Sequence, residues 1–247
     1  MAPVDLLKWL GAARRSKLPT RAGCAFIFSL LFADPAAAQI AGSLGLDSDY
    51  RLRGYSLTND HPAATAQITL DHSSGLYVSM SALAEIGDDS RVLGAIGNAG
   101  YAKRLSNSLT IDAGVLRSQI RSEDRGGPGF KYTEIYAGAY IGPVVGRVYY
   151  SPDYRTSGQS TIYGELETGF EPWTDWRLSG HVGLLTYLNS TRYWSAGQTH
   201  HDWRVALARR LGRFEMHAAV SGGGPETYYG NRAHDKAKVS VGGSVSL

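Results

Sequence analysis

Apolar and polar residues alternate with a period of two along most of the chain beyond residue 40, the spacing of strands whose two faces meet different surroundings. Ala64, Ala66, Ile68 and Leu70 oppose Thr65, Gln67, Thr69 and Asp71, and Leu76, Val78 and Met80 oppose Tyr77, Ser79 and Ser81. The same rhythm runs through Leu109–Val115, Glu134–Ile141, Val144–Ser151, Ile162–Phe170, Trp176–Leu184, Arg213–Val220 and Lys238–Leu247. Weaker versions near residues 91–105 and 201–210 predict two more strands. The stretch SLGLDSDYRLRGYSL, Ser43–Leu57, reads as a further strand. Its apolar face carries Leu44, Leu46, Tyr50 and Leu52, and its other face carries Asp47, Asp49, Arg51 and Arg53. The pattern thus predicts about twelve strands and no helix in this region.

The connections sort by length. YSLTNDHP, EIGDDSR, RSEDRGGPGFK, SPDYRTSGQS, LNSTRYWSAGQTHH and SGGGPETYYGNRAHD alternate with the shorter HSSG, LSNS, IGP, EPWTD and LGR. In an antiparallel meander this places every long loop at one end and every short turn at the other. Outer-membrane barrels have that asymmetry, with an even strand number.

Parity alone does not say which face points inward. The front of the chain bears on that choice. Lys8, Arg14, Arg15, Lys17 and Arg21 precede the apolar run Ala22–Ala33, and Ala36 and Ala38 follow at small-residue cleavage positions. A basic region, a short apolar run and an Ala-x-Ala site describe a cleaved signal peptide, residues 1–38, ahead of a barrel domain, residues 39–247. Removing it takes 5 of the 25 basic and 2 of the 22 acidic residues, leaving 20 of each. The basic pI therefore belongs to the leader and is no argument for nucleic acid. Cys24 leaves with it, so the remaining chain has neither a disulfide nor thiol chemistry. Export, loop sorting and a last strand with apolar Val239, Val241, Val245 and Leu247 together favour an apolar exterior. On a lipid-facing surface an Arg costs about 2–4 kcal/mol at the bilayer midplane. The charges of the opening stretch then belong in a wet interior. Phe170, Trp173 and Trp176 beside a short turn suit an interfacial aromatic belt.

SDYRLRGYS (Ser48–Ser56), followed by Pro62-Ala63 and Gln67, resembles the N-terminal signature of the TorF family of proposed proteobacterial porins, also known as the Gcw_chp domain of unknown function. The resemblance continues through SGLYVSMSA, YTEIYAG, GPVVGRVYYSPDY, DWRLSGHVG and HDWRVAL, while EDRGGPGF departs from it. It implies an outer-membrane barrel and a channel, without a substrate.

Candidate chemistry follows from these placements. Asp49, Arg51, Arg53, Glu134, Arg147, Glu165, Glu167, Arg177, Arg204 and Glu215 are the expected pore-lining residues, able to set ion selectivity. The alternative is a plugged lumen in which such charges neutralise one another, leaving the long loops to bind partners through Tyr193-Trp194 and Tyr228-Tyr229. An outer-membrane lipid hydrolase needs a Ser nucleophile and a His base in reach. His72-Ser73-Ser74 offers the pair only in a short turn, where a hairpin explains it. A barrel protease needs paired acids and a His at the long-loop rim, and His200-His201-Asp202 is the nearest approach. The same triplet and His234-Asp235 are competent metal ligands, yet loop histidines are ordinarily solvated. Gly222-Gly223-Gly224 reads as loop punctuation, and Arg209, Arg210 and Arg213 as headgroup or solvent contacts.

The sequence reading is therefore an all-β, antiparallel transmembrane barrel in a bacterial outer membrane that acts as a passive channel, not an enzyme, with no cofactor and no metal. Its expected partners are outer-membrane lipid, small polar or ionic solutes and, through the C-terminal strand, the barrel-assembly machinery; nucleic acid is not among them.

Overall fold

The computed structural model describes residues 38–87, 90–121, 129–192, 195–224 and 237–247. The expected leader lies outside them apart from Ala38, as do the Tyr193-Trp194, Tyr228-Tyr229 and His234-Asp235 pairs and most of EDRGGPGF. Twelve strands close into one antiparallel barrel. They are β1 (Ala38–Asp47), β4 (Ala63–His72), β5 (Leu76–Glu85), β6 (Arg91–Arg104), β7 (Leu109–Ile120) and β8 (Phe130–Ile141), followed by β9 (Val144–Ser151), β10 (Thr161–Trp173), β11 (Trp176–Tyr187), β12 (Thr199–Leu211), β13 (Phe214–Gly224) and β14 (Lys238–Ser246). Each pairs with its neighbour in sequence, except that β1 runs beside β4 (Leu44 opposite Ala66) and closes the ring against β14 (Leu44 opposite Val245). The remaining two, β2 (Arg51–Leu52) and β3 (Tyr55–Ser56), form a separate hairpin between β1 and β4. Closure satisfies the backbone N–H and C=O groups that an open sheet would leave at its edges.

The barrel is inverted relative to a water-soluble one. Val148, Leu166 and Met216 are 55%, 56% and 61% exposed, whereas Arg147, Glu167 and Glu134 on the opposite parity are 5%, 2% and 1% exposed. Period-two alternation carries this through most of the barrel, since successive side chains leave opposite faces, and the register shift beside Gly94 changes the facing parity within β6. Phe170 and Trp173 are exposed near the β10–β11 turn, where Trp173 pairs with Trp176. The Arg209 guanidinium lies 5.3 Å from the Trp176 ring centroid, and Arg210 approaches Glu171 at 3.5 Å.

Two expectations fail locally. The strand expected over Ser43–Leu57 stops at Asp47. Beyond it, Arg53 and Gly54 both have positive φ, 50° and 79°, between Leu52 and Tyr55. That is the two-residue turn whose twist matches a tight hairpin. The alternation persists because a hairpin arm has the same period as a wall strand, so periodicity could not expose the break. The second failure is Gly222-Gly223-Gly224, which ends β13 in register with Trp203, Asp202 and His201 instead of forming a loop.

Candidate functional site: the barrel interior and its inward hairpin

The interior is unevenly furnished. From β5 through β10, inward positions carry Tyr77, Asp112, Tyr132, Glu134, Tyr136, Tyr140, Arg147, Tyr149 and Tyr163, all buried. Asp112 collects hydrogen bonds from the Tyr77 and Tyr140 hydroxyls at 3.2 and 3.0 Å, with Arg147 Nη2 at 3.5 Å. Tyr77 contacts Tyr136, and Arg147 contacts Tyr140. Tyr149 donates to Glu165 Oε1 at 2.8 Å, and Arg147 Nη1 lies 3.8 Å from the same oxygen. Across the barrel, the inward residues of β13, β14, β1 and β4 are mostly small: Ala219, Ser221, Ser240, Gly242, Ser244, Ser43, Gly45 and Thr65. Asp47, Gln67, Arg177, Arg204, Glu215 and His217 are only half-buried. Asp47 meets His217 Nε2 at 2.9 Å. One wall is thus a packed tyrosine–charge network, and the other recedes.

Into this space folds the segment after β1. Asp49 anchors its base, accepting from Thr58 Oγ1 at 3.1 Å, from Ser56 Oγ and from Arg51 Nη1 at 3.1 Å. Arg51 also donates to Gly54 O at 2.6 Å, holding the turn against its own stem. The apolar side of the segment is held as well. Leu57, Ala63, Leu83, Leu93 and Ile120 form a buried cluster joined by Tyr50 and Leu52. Leu83 and Ile120 share a parity with Tyr77 and Asp112, so they are apolar residues pointing inward at the long-loop end.

The tip crosses the lumen. At Gly54 an added Cβ would lie 3.1 Å from both Asp202 Cβ and Gly223 Cα, so the turn rests against β12 and β13. This close approach accounts for Gly223, while a Cβ at Gly222 would meet the Trp203 ring. Arg53 reaches the opposite side, donating to Glu134 Oε1 and Oε2 at 2.9 and 2.8 Å. Its guanidinium lies 3.9 Å from the Tyr163 ring centroid and 5.3 Å from that of Tyr149. Burial works against the Arg53 charge, but the Glu134 carboxylate outweighs it and holds the guanidinium above its ordinary pKa. Tyr55, the next hairpin residue, places its hydroxyl 2.8 Å from His200 Nδ1, and burial pushes its phenol upward. Arg155, from the β9–β10 loop, packs over Phe130 and Tyr55 at 4.5 and 5.0 Å.

The ten sequence candidates therefore occupy three settings. Glu134, Arg147, Glu165 and Glu167 are buried in the wall network, and Arg177, Arg204 and Glu215 face inward half-buried. Arg51 and Arg53 are on the hairpin and Asp49 at its base, so none of the three is on the wall. Sequence reasoning missed Asp112, His181 and the buried tyrosines, and named Asp202 only within the rim triplet. Their inward parity was legible, but which strands face one another across a closed ring was not. The rim triplet splits: His200 and Asp202 point inward and are buried, while His201 points out. In the β4–β5 turn, His72 Nδ1 lies 2.8 Å from Ser74 Oγ and also accepts the Ser74 amide at 3.1 Å. Both groups are exposed and two residues apart, which is turn geometry.

Comparison with known proteins agrees with the architecture. The NanC porin structure matches with a TM-score of 0.53 at 12% identity, covering 84% of this chain and 98% of that one. The KdgM porin covers 84% of this chain and 99% of its own at 12% identity, with a TM-score of 0.49. Outer membrane phospholipase A from Escherichia coli covers 84% and 89% at 15% identity, with a TM-score of 0.45. At such identity the likeness to NanC speaks for the fold alone. No curated protein sequence matches. Residues 33–238 match the model of a family described as bacterial protein of unknown function (Gcw_chp), and the chain belongs to that family.

Proposed function

We propose that the protein is an outer-membrane channel for passive diffusion of small polar or ionic solutes, narrowed by the Asp49–Thr58 segment. One observation carries the reading: a closed barrel with an apolar exterior encloses an interior lined by charge of both signs and by a receding Gly/Ser/Ala wall. Lipid suits the outside because closure of the ring pairs each strand on both sides. Water suits the inside, where half-buried Asp47, Gln67, Arg177 and Glu215 line the open half. The ten charged candidates then act as the selectivity-setting residues, with Arg53–Glu134 at the constriction. Export by a residue 1–38 leader and assembly through the C-terminal strand belong to the same proposal, as does the channel role that the resemblance to the TorF porins implies.

A plugged barrel working through its long loops is the second reading. It is favoured by the Arg53–Glu134 pair, whose side chains are 9% and 1% exposed. Single-channel recording of the mature protein in a planar bilayer separates the two. Stepwise conductance in the unaltered protein is expected for the channel. An inserted barrel that stays silent until Asp49–Thr58 is replaced by a Gly/Ser linker would establish the plug instead.

A further inference from the structure

Beside the inward hairpin, β10, β11 and β12 bring together a set of groups, two of them among the charged wall candidates, whose clustering passive diffusion does not explain. Glu165 and Glu167 share the inward face of β10, and His181 stands directly opposite Glu167 on β11. One ligand atom from each of these three residues lies within 4.8 Å of the others. Asp202 stands behind them on β12, with Oδ1 2.7 Å from His181 Nε2. Tyr163 donates to Asp202 at 3.2 Å, which fixes that carboxylate in place. Gly183 makes the approach possible, because a Cβ there would fall 2.1 Å from the Tyr163 hydroxyl and 2.6 Å from Asp202 Oδ2.

Two features of this arrangement ask for a cation. His181 Nδ1 lies 3.2 Å from Glu167 Oε1 and its Nε2 lies 2.7 Å from Asp202 Oδ1, so three carboxylates crowd one imidazole in the wall. Independently, Glu167 Oε2 is buried with no hydrogen-bond partner, in a side chain only 1% exposed. An orphaned carboxylate oxygen at that depth is costly unless something positive meets it.

We propose that Glu165, Glu167 and His181 bind a divalent transition-metal ion in the barrel wall, with Asp202 as the carboxylate that orients the ligating histidine. One imidazole nitrogen with two carboxylates suits Zn2+ and its first-row neighbours better than Ca2+ or Mg2+. A carboxylate on the far nitrogen of a ligating histidine is the usual outer partner of such sites. The bound ion clamps β10 to β11 and offsets the acidic excess of this part of the wall.

The test is Zn2+ binding to the folded mature barrel in detergent, stripped with chelator and dialysed against micromolar Zn2+, with metal content measured by mass spectrometry. One ion per chain is expected. Glu167→Gln and His181→Gln should each abolish stoichiometric binding. Asp202→Asn should weaken it roughly 10–100-fold, the usual cost of losing an outer partner. Heat-modifiable gel mobility checks that each variant has folded, and Glu165→Gln serves if one has not. A chain that binds no Zn2+ overturns the proposal, as does binding that survives both Glu167→Gln and His181→Gln. A 15N spectrum in which His181 keeps both ring protons in excess Zn2+ would overturn it too, making the cluster an ion-paired imidazolium.

Discussion

Arg53 concentrates the problem this molecule solves. A non-glycine residue at a φ of 50° costs on the order of 1 kcal/mol, and its guanidinium is taken out of water. A bidentate pairing with Glu134 and the faces of Tyr163 and Tyr149 offset both. Arg53→Ala should therefore raise single-channel conductance, because the crossing contact is lost. It should also shift ion selectivity toward cations, because Glu134 is left without its partner. Unchanged conductance and reversal potential would place the current-limiting region elsewhere. Gly54 makes a second test. At a φ of 79°, with β13 backbone 3.1 Å from any Cβ, Gly54→Val meets strain and collision together. Undocking of the hairpin is expected, read as a conductance increase at least as large as that of Arg53→Ala, with the heat-modifiable gel mobility of the barrel retained.

The strands of the tyrosine wall act together where single residues would not. Asp112 on β7, Tyr140 on β8, Arg147 on β9 and Glu165 on β10 form one connected set across four adjacent strands. Removing one member of a buried charge set leaves the others uncompensated, at about 3–5 kcal/mol. Arg147→Ala should lower unfolding stability by that order in urea titrations of the lipid-reconstituted barrel. A loss below about 1 kcal/mol would mean that water reaches these groups and screens them. The hairpin is the other element with its own logic. Its polar stem closes on Asp49 and its apolar side joins Leu83, Leu93 and Ile120, so the barrel mouth holds it from two directions.

For the molecule as a whole, the inversion of polarity makes a prediction that no local contact would. Leu166 is 56% exposed in the middle of β10, directly between inward-facing Glu165 and Glu167. If the exterior meets lipid, Leu166→Arg should cost about 2–4 kcal/mol in reversible folding into vesicles. In a water-soluble barrel the same change would be nearly neutral, so the measurement bears directly on the membrane assignment.

How much of this was readable beforehand follows from the range of each interaction. Strand existence and facing are local properties: Tyr136 against Ile135, or Arg147 against Val148, differ in polarity one residue apart, and a pleated strand sends them to opposite sides. Loop sorting and the even strand number are likewise written along the chain, which is why the twelve-strand closed barrel was legible. The continuation from Asp47 to Ser56 was not, because wall strand and hairpin arm share one period. Only the docking of Gly54 on β13 and of Arg53 on Glu134, 81 residues away, selects the inward fold. The Glu165–Glu167–His181–Asp202 group has the same origin. Its members come from three neighbouring strands, and their meeting depends on register and on the space above Gly183. Periodicity reports which way a side chain points, whereas closure of the ring decides what it meets there.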